Sequence, residues 1–292
     1  MMIDPKVALA GLFVGFVVGL TGMGGGALMT PILVLLFKVQ PLAAVSSDIV
    51  ASMIMKPVGG GVHWRRGTVN TELVLWLVLG SVPSAFLGVL LLKSSGQGEP
   101  LQHLVKVALG IALLVVALGL IVRPLLSRNR QAGDSIEPLV VKKLQTVLIG
   151  GVGGLVVGLT SVGSGSLMII LLLMLYPKLR LSELVGTDLV QAIPLVASAA
   201  LGHALFGDFQ LALTASILIG SVPGVFIGAQ LSSRAPDALI RPALILVLLG
   251  SSLKLLGSSN GVLALVIALF GAAYLIVRAS AQRQARPALK LR

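Results

Sequence analysis

The chain has 292 residues, of which 56% are hydrophobic and 11% are charged. Several apolar runs approach the roughly 20 residues that span a bilayer, which predicts a polytopic α-helical membrane protein. The absence of cysteine excludes disulfides, thiolate metal sites and a cysteine nucleophile. The net charge of +12 is typical of basic residues in cytoplasmic connections, so it does not indicate a nucleic-acid partner. We expect no cofactor.

Nine apolar segments follow one another along the chain. They run over roughly 7–37, 45–62, 71–92, 101–122, 144–176, 184–206, 211–231, 238–257 and 261–279. The first eight form two sets of four, and the last has no counterpart. The predicted organisation is therefore a first repeat (1–122), a cytoplasmic linker (123–143), a second repeat (144–257), and an extra transmembrane helix with a basic cytoplasmic tail (258–292).

The two sets of segments are copies of each other. An offset of 140 residues aligns Asp48 with Asp188, His63 with His203, and the GSVP sequence at 80–83 with its second occurrence at 220–223. A duplication of about 140 residues is too long for a solenoid repeat and is typical of transporter halves.

A glycine-rich break interrupts the first apolar segment of each copy. It reads TGMGGG at 21–26 and TSVGSGS at 160–166, aligned at an offset of 139. Glycine is unfavourable inside a helix, and a membrane tolerates broken backbone only where protein or a water-filled cavity surrounds it. A pair of interrupted segments at matching positions predicts a transporter binding site.

Charge in the connections predicts how these broken segments sit in the membrane. If each crosses once, the two sides carry nine and twelve cations. If each enters and returns on one side as a hairpin of two half-length helices, the numbers are sixteen and five, with Lys56 left out as intramembrane. Positive charge gathers on the cytoplasmic side, so the hairpin arrangement is preferred. Either two helices or a re-entrant loop can build such a hairpin.

The fold class follows from this topology. Each repeat is predicted to contain a glycine-broken helical hairpin plus three transmembrane helices, which is an odd number of crossings. The two repeats are therefore inverted, their hairpins enter from opposite faces, and the glycine tips can meet near the midplane. The linker and the C-terminus are predicted to be cytoplasmic, in a multi-pass protein of the bacterial inner membrane.

Several motifs resemble the sulfite exporter TauE/SafE family, also called the toluene sulfonate uptake permease family. They are GMGGG at 22–26 with the following Pro31, HWRRGTV at 63–69, GTDL at 186–189 and both GSVP sequences. The resemblance covers roughly 7–257 and implies a plasma-membrane carrier of small sulfur-containing or organic anions such as sulfite, sulfonates or sulfoacetate. Two departures leave the substrate open. The second glycine motif is degenerate, and Ser46-Ser47-Asp48 stands where the family usually has Gly-Thr-Ser.

The glycine breaks are the first candidate site. A half-helix that begins inside the membrane directs unsatisfied N–H groups and partial positive charge toward its tip, and glycine lets an anion approach closely. Alternatively, the glycines only permit tight helix crossing and the hydroxyls cap helix ends. The candidate substrate-binding residues in the breaks are Thr21, Gly24, Gly25, Gly26, Thr160, Ser161, Ser164, Gly165 and Ser166.

Four polar side chains within the apolar segments extend the candidate site. Lys56 lies mid-segment, where it is expected to attract an anion or pair with Asp48 unless it reaches toward the membrane surface. Asp48 and Asp188 either cap the N-terminus of their helices or face inward, where proton coupling is the natural role. Gln191, one turn after Asp188, is expected to face the cavity.

His63 and His203 occupy equivalent ends of the inverted helices. They are predicted to lie on opposite faces with no ligand cluster around either, so a metal site is not expected. Interfacial hydrogen bonding is one interpretation, and a gating or proton role is the other.

The leading functional hypothesis is a secondary transporter of a small anion, with coupling to a proton or another ion, and not an enzyme. No phosphate-binding loop for ATP occurs in the sequence. A passive anion channel is an alternative, since channels and carriers can share inverted repeats. An intramembrane aspartyl protease is disfavoured. Its two carboxylates must share a proton at about 3 Å, whereas Asp48 and Asp188 are predicted near the ends of helices on opposite faces. The sequence does not predict the oligomeric state.

Overall fold

A computed structural model describes residues 3–21, 24–65, 67–128, 140–177, 179, 181–231, 237–272 and 274. The described residues form eleven α-helices and no β-strand. The helices are α1 (Pro5–Thr21), α2 (Gly26–Leu35), α3 (Pro41–Arg65), α4 (Thr71–Ser94), α5 (Glu99–Arg128), α6 (Lys143–Thr160), α7 (Leu167–Leu175), α8 (Leu181–Phe206), α9 (Leu211–Leu231), α10 (Asp237–Leu255) and α11 (Asn260–Ala272). By length and composition, α3, α4, α5, α6, α8 and α9 are each sufficient to cross a membrane.

Each predicted glycine break falls between two helices. The first separates α1 from α2, and the second separates α6 from α7. The second arms have 10 and 9 residues and are about 14–15 Å long, half of a bilayer core. The first arms have 17 and 18 residues, so the prediction of two half-length helices is wrong for them. Helix α6 stays continuous through its glycine-rich stretch at 150–154.

Both ends of the first broken segment lie at one end of the molecule. Asp4, just before α1, lines one cleft together with Phe37, just after α2, and Ser216 of α9. The backbone N–H of Asp4 also donates to Ser216 Oγ at 3.0 Å. The segment α1–α2 thus enters and returns on the same side, as a hairpin.

The second broken segment has the same form. The hydroxyl of Tyr176, just after α7, accepts from the backbone N–H of Lys142 at 2.9 Å and lies 2.5 Å from Thr146 Oγ1, near the start of α6. Lys143 Nζ lies 5.2 Å from the ring centroid of Trp76, near the start of α4. The open end of this hairpin therefore lies beside the start of α4, which follows the C-terminal end of α3.

The open end of the first hairpin lies near the opposite end of α3. The start of α9 contacts this region, because the backbone N–H of Gln210 donates to Ser47 Oγ at 3.2 Å, and Ser47 lies in the second turn of α3. The two hairpins thus open toward opposite ends of α3, a helix of 25 residues.

Glycine-lined contacts join the halves reciprocally. The first arm α1 packs along α9, and the first arm α6 packs along α4. A Cβ added at Gly15 would collide with the carbonyl oxygen of Ser221, and one added at Gly154 would collide with that of Ser81. Gly15 and Gly154 are equivalent in the repeat, as are Ser81 and Ser221. Each half therefore uses the same positions to hold the hairpin of the other.

The all-helical membrane architecture predicted from sequence is confirmed, while some bounds differ. Helices α3 and α8 begin at Pro41 and Leu181, ahead of the apolar runs; proline is favourable in the first turn of α3. Helix α5 continues to Arg128, inside the predicted linker. The rest of that linker to 139 and the basic tail from 275 lie outside the described residues, and inversion of the repeats stays a prediction.

Candidate functional site

The two glycine breaks contact each other directly. A Cβ added at Gly26 would collide with the carbonyl oxygen of Ser161, and one added at Gly24 would collide with that of Ser164. Gly25 differs, because an added Cβ would have ordinary contacts of 3.6 Å to Met55 Cε and 3.8 Å to Ser52 Oγ. The glycines at 24 and 26 are thus required for close packing of the tips, whereas a methyl group at position 25 would fit with ordinary contacts. Gly22 and Met23 lie outside the described residues.

The second break has a left-handed backbone at several positions. Ser161 ends α6 with φ 63°, and Gly163 and Gly165 have φ of 125° and 113°. Non-glycine residues rarely adopt such angles, so glycine at 163 and 165 permits the reversal into α7. Ser164 and Ser166 are buried beside it. Together, residues 161–166 form the compact tip of the second hairpin.

The two threonines predicted as anion donors hydrogen-bond to their own helices. Thr21 Oγ1 donates to the carbonyl of Val17 at 2.8 Å, and Thr160 Oγ1 donates to that of Val156 at 2.7 Å. Thr160 Oγ1 also accepts from the backbone N–H of Val162 at 3.1 Å. These contacts agree with the alternative interpretation, in which the hydroxyls stabilise the helix ends.

Asp48 connects both tips to α3. It is 1% exposed, and its Oδ2 accepts from Thr30 Oγ1 at 2.8 Å and from Ser161 Oγ at 2.7 Å. Thr30 belongs to the short arm α2, and Ser161 to the second tip. Because α3 begins seven residues earlier, at Pro41, Asp48 does not cap this helix.

Lys56 lies two turns further along α3, near both tips. Its side chain is 6% exposed, so it does not reach toward the membrane surface. An ammonium group has three N–H donors, yet among the described residues Lys56 Nζ makes one hydrogen bond, a long one of 3.5 Å to the carbonyl oxygen of Ser164. A Cβ on Gly24 would lie 3.3 Å from the same nitrogen. A cation with unused donors is thus buried where the tips meet.

Asp188 is the counterpart of Asp48 in α8 but has different partners. It is fully buried, and its Oδ1 accepts from Gln191 Nε2 at 3.0 Å. Gln191 Oε1 in turn accepts from Ser81 Oγ at 3.2 Å. Asp188 Oδ2 is buried and has no hydrogen-bond partner among the described residues. Seven residues into α8, Asp188 does not cap its helix either.

His203 joins the second hairpin to the start of α3. Its Nε2 lies 2.8 Å from the carbonyl oxygen of Gly158, and its Nδ1 lies 2.9 Å from Ser46 Oγ. A carbonyl only accepts, so in the neutral ring Nε2 carries the proton. The side chain of His63 lies outside the described residues.

Sequence reasoning missed three hydroxyls that bind these side chains: Thr30, Ser46 and Ser81. Thr30 is a polar residue inside a short apolar helix, at a position where the second copy has Ile169. That contrast was a detectable signal. Ser81 lies in the first GSVP sequence, which marks the repeat but carries no signal for a contact with the site.

Buried charges beside two interrupted helices, within a bundle of apolar spans, are typical of multi-pass membrane transporters. The chain matches the family described as sulfite exporter TauE/SafE over residues 7–255, and it belongs to that family. This confirms the resemblance carried by the sequence motifs.

Curated relatives agree with this class. The chain is 42% identical over 253 residues to the probable membrane transporter protein YjnA of Bacillus subtilis (strain 168), covering 86% of this chain and 99% of that protein. It is 25% identical over 243 residues to the probable membrane transporter protein YdhB of the same organism, covering 82% and 95%. No solved structure matches the chain.

Proposed function

We propose that this protein is a secondary transporter that moves a small sulfur-containing or organic anion, such as sulfite, a sulfonate or sulfoacetate, across the plasma membrane. The binding site lies where the two hairpin tips meet. Family membership supports transport, and the geometry of the tips supports the choice of an anion and the place where it binds.

The observation that carries the proposal is the environment of Lys56. A buried ammonium is costly unless it is paired and hydrogen-bonded. Lys56 Nζ makes only the long bond to the carbonyl oxygen of Ser164 among the described residues. An anion beside it would accept from the remaining N–H donors of the ammonium.

The short helices add electrostatic attraction at the same place. Helices α2 and α7 both begin at the breaks, so their free N–H groups and positive dipole ends lie at the tips. The groups that face an added Cβ at Gly25 are the side chains of Met55 and Ser52 and not backbone, so a shift of these side chains would let an anion reach the backbone of the first tip. Ser164 and Ser166, both buried at the second tip, supply hydroxyl donors.

The site is buried in this structure, so an anion needs a movement of the protein to reach it. Each hairpin contacts a crossing helix of the other half, α9 or α4, through equivalent glycines. This reciprocal packing and the opposite directions of the hairpins support inverted repeats. We propose that the halves rock about these contacts and open the site to one side at a time.

The two carboxylates do not form a protease dyad. Asp48 accepts from Thr30 and Ser161, whereas Asp188 accepts from Gln191. Because these hydrogen-bond sets are separate, the shared proton that aspartyl proteases require has no counterpart here.

Binding to purified protein tests the proposal. Sulfite, thiosulfate, sulfoacetate, taurine and simple carboxylates are titrated against the wild type, Lys56→Met and the exposed control Lys38→Met. Hydrogen bonds to a charged group contribute about 1.5–3 kcal/mol, so Lys56→Met should weaken binding by roughly 10- to 100-fold. Unchanged affinity in that variant would remove Lys56 from the site. Counterflow in vesicles, which a channel cannot support, distinguishes a carrier from a passive pore.

A further inference from the structure

The equivalent carboxylates Asp48 and Asp188 differ in their hydrogen-bond donors, because the two repeats differ at two positions. The donors to Asp48 are Thr30 and Ser161. The repeat offset of 139 places Ile169 and Gly22 at the corresponding positions of the other copy, and neither has a hydroxyl. Within the part of the chain that the structure describes, Asp188 Oδ2 is buried and has no hydrogen bond.

A glutamine adds to this asymmetry. Gln191 lies between Asp188 and Ser81, donating to the first and accepting from the second. The first copy has Ala51 at this position, and Ser221, the counterpart of Ser81, is buried with no partner for its hydroxyl among the residues described. Gln191 therefore orients Asp188 through Oδ1 and leaves Oδ2 available.

The charges around Asp188 come from α3. Lys56 interacts electrostatically with both Asp188 and Asp48. Helices α4, α6 and α7 also pack on α8. Their charged residues are confined to helix ends, since α7 has none, α6 has only Lys143 in its first turn, and α4 has Glu72 and Lys93 near its two ends. With both carboxylates ionised, the buried cluster carries two negative charges and one positive.

An anion bound beside Lys56 makes the charge balance of this buried cluster less favourable. The positive charge that faces Asp188 is then shared with the substrate, and the buried site gains a further negative charge. Burying unpaired charge is costly. Asp48 has two hydroxyl donors that stabilise its charge, while Asp188 Oδ2 has none, so Asp188 is the carboxylate that neutralisation favours.

We infer that Asp188 is the coupling residue of the transporter, and that it binds a proton at Oδ2 when an anion binds beside Lys56. Hydronium on the open side gives up one O–H bond and becomes water, the proton forms the O–H bond of the neutral carboxyl group, and this bond breaks again on the other side, where water takes the proton as the anion leaves. The inference rests on the proposed function and adds a proton symport to it.

A proton fits this position better than a metal cation. The Gln191 amide donates to Oδ1, so Oδ2 alone is left for a cation, whereas a metal ion needs several oxygen ligands. The described residues contain no group of three acidic or histidine side chains able to hold one. A proton needs no coordination shell.

Proton binding and anion binding must then strengthen each other equally, because coupling between two sites is reciprocal. Where Asp188 is ionised in the empty protein, anion affinity should fall about tenfold per unit increase in pH, as expected for one proton bound with each anion.

The test uses thiosulfate, whose own charge is constant near neutral pH, and the full-length protein in detergent. A pH indicator in weakly buffered solution counts protons taken up on binding, and calorimetry gives affinity against pH. The wild type should take up about one proton per thiosulfate. Asp188→Asn, which keeps an acceptor for Gln191, should bind thiosulfate without proton uptake and independently of pH. The exposed control Glu72→Gln should match the wild type.

Each other outcome overturns the inference. Thiosulfate binding by the wild type without proton uptake would overturn the inference and leave the proposed function intact. Proton uptake that is abolished in Asp48→Asn and retained in Asp188→Asn would have the same meaning. Binding that requires Na⁺ and causes no change in pH would indicate that the coupling ion is a metal cation. No binding of any anion in the screen would reject the proposed function itself. The wild-type proton count does not depend on a variant that folds.

Discussion

Ser161 donates a 2.7 Å hydrogen bond to Asp48, and this bond joins the tip of the second hairpin to a transmembrane helix of the first half. Ser161 has a left-handed backbone, with φ 63°, at a position where the first copy has Gly22. The protein thus keeps a strained serine where glycine would be easier. The hydroxyl is the part of this residue that glycine cannot replace.

Removal of either hydroxyl that donates to Asp48, from Thr30 or from Ser161, should destabilise the protein. A hydrogen bond to a charged group contributes about 1.5–3 kcal/mol, so Thr30→Val should lower the unfolding temperature in detergent. Ser161→Gly should lower it less, because glycine relieves roughly 1 kcal/mol of left-handed strain. Ser161→Ala removes the hydroxyl and keeps the strain. Equal or higher stability of Ser161→Ala relative to Ser161→Gly would contradict this account.

Contact between the hairpin tips should depend on Gly26. In Gly26→Ala, the added methyl group collides with the backbone and the hydroxyl of Ser161, and such overpacking costs about 1–3 kcal/mol. The expected result is a lower unfolding temperature and lower yield of monodisperse protein. Gly151→Ala is the matched control, because an added Cβ there meets nothing within 4 Å.

Gly25→Ala separates packing from binding. The methyl group makes only ordinary contacts there, so stability should stay close to wild type while anion affinity falls. If Gly25→Ala lowered the stability and Gly26→Ala did not, the packing role would belong to Gly25 and not to Gly26.

Cysteine labelling tests the inversion of the repeats. The chain has no cysteine, so single introduced thiols give no background. Lys38→Cys lies at the open end of the first hairpin and Val140→Cys near that of the second, and both side chains are exposed. Reagents that cannot cross the membrane should label position 38 from outside and position 140 from the cytoplasm. Labelling of both from one side would reject inversion.

His203 should act as a structural bridge. His203→Ala leaves the carbonyl of Gly158 without the partner it now has, at a cost of about 1–3 kcal/mol. His203→Gln, whose amide nitrogen can replace Nε2, should recover part of the lost stability. The exposed His103→Ala should be neutral. Full stability of His203→Ala would show that the bridge contributes nothing.

The membrane architecture and the twofold repeat were predictable because they depend on long apolar runs and on residues that recur at a fixed offset. The glycine breaks were visible for the same reason. The length of α1 and α6 was not, because hydropathy shows where an apolar run is interrupted but not how deep each arm extends. The capping interpretation of Asp48 and Asp188 failed because both helices begin ahead of their apolar runs.

The contacts within the site were only partly predictable. A lysine in mid-span is conspicuous in any sequence, and Lys56 does lie against the second tip. Which hydroxyl binds which carboxylate depends on the rotation of α2 and α3 and on the reversal at Ser161. These follow from tertiary packing and have no local signal, so Thr30 was missed although it lies four residues after Gly26.

The packing of each hairpin on a helix of the other half has a consequence for the order of assembly during synthesis. Helix α1 leaves the ribosome first, but α9, along which it packs, begins only at Leu211. At synthesis rates of about 5–20 residues per second, α1 waits roughly 10–40 s for its partner. Helix α6 meets a finished α4 at once. The second hairpin should therefore assemble before the first, and the glycine face of α1 should need protection by lipid or by the insertion machinery until translation is nearly complete.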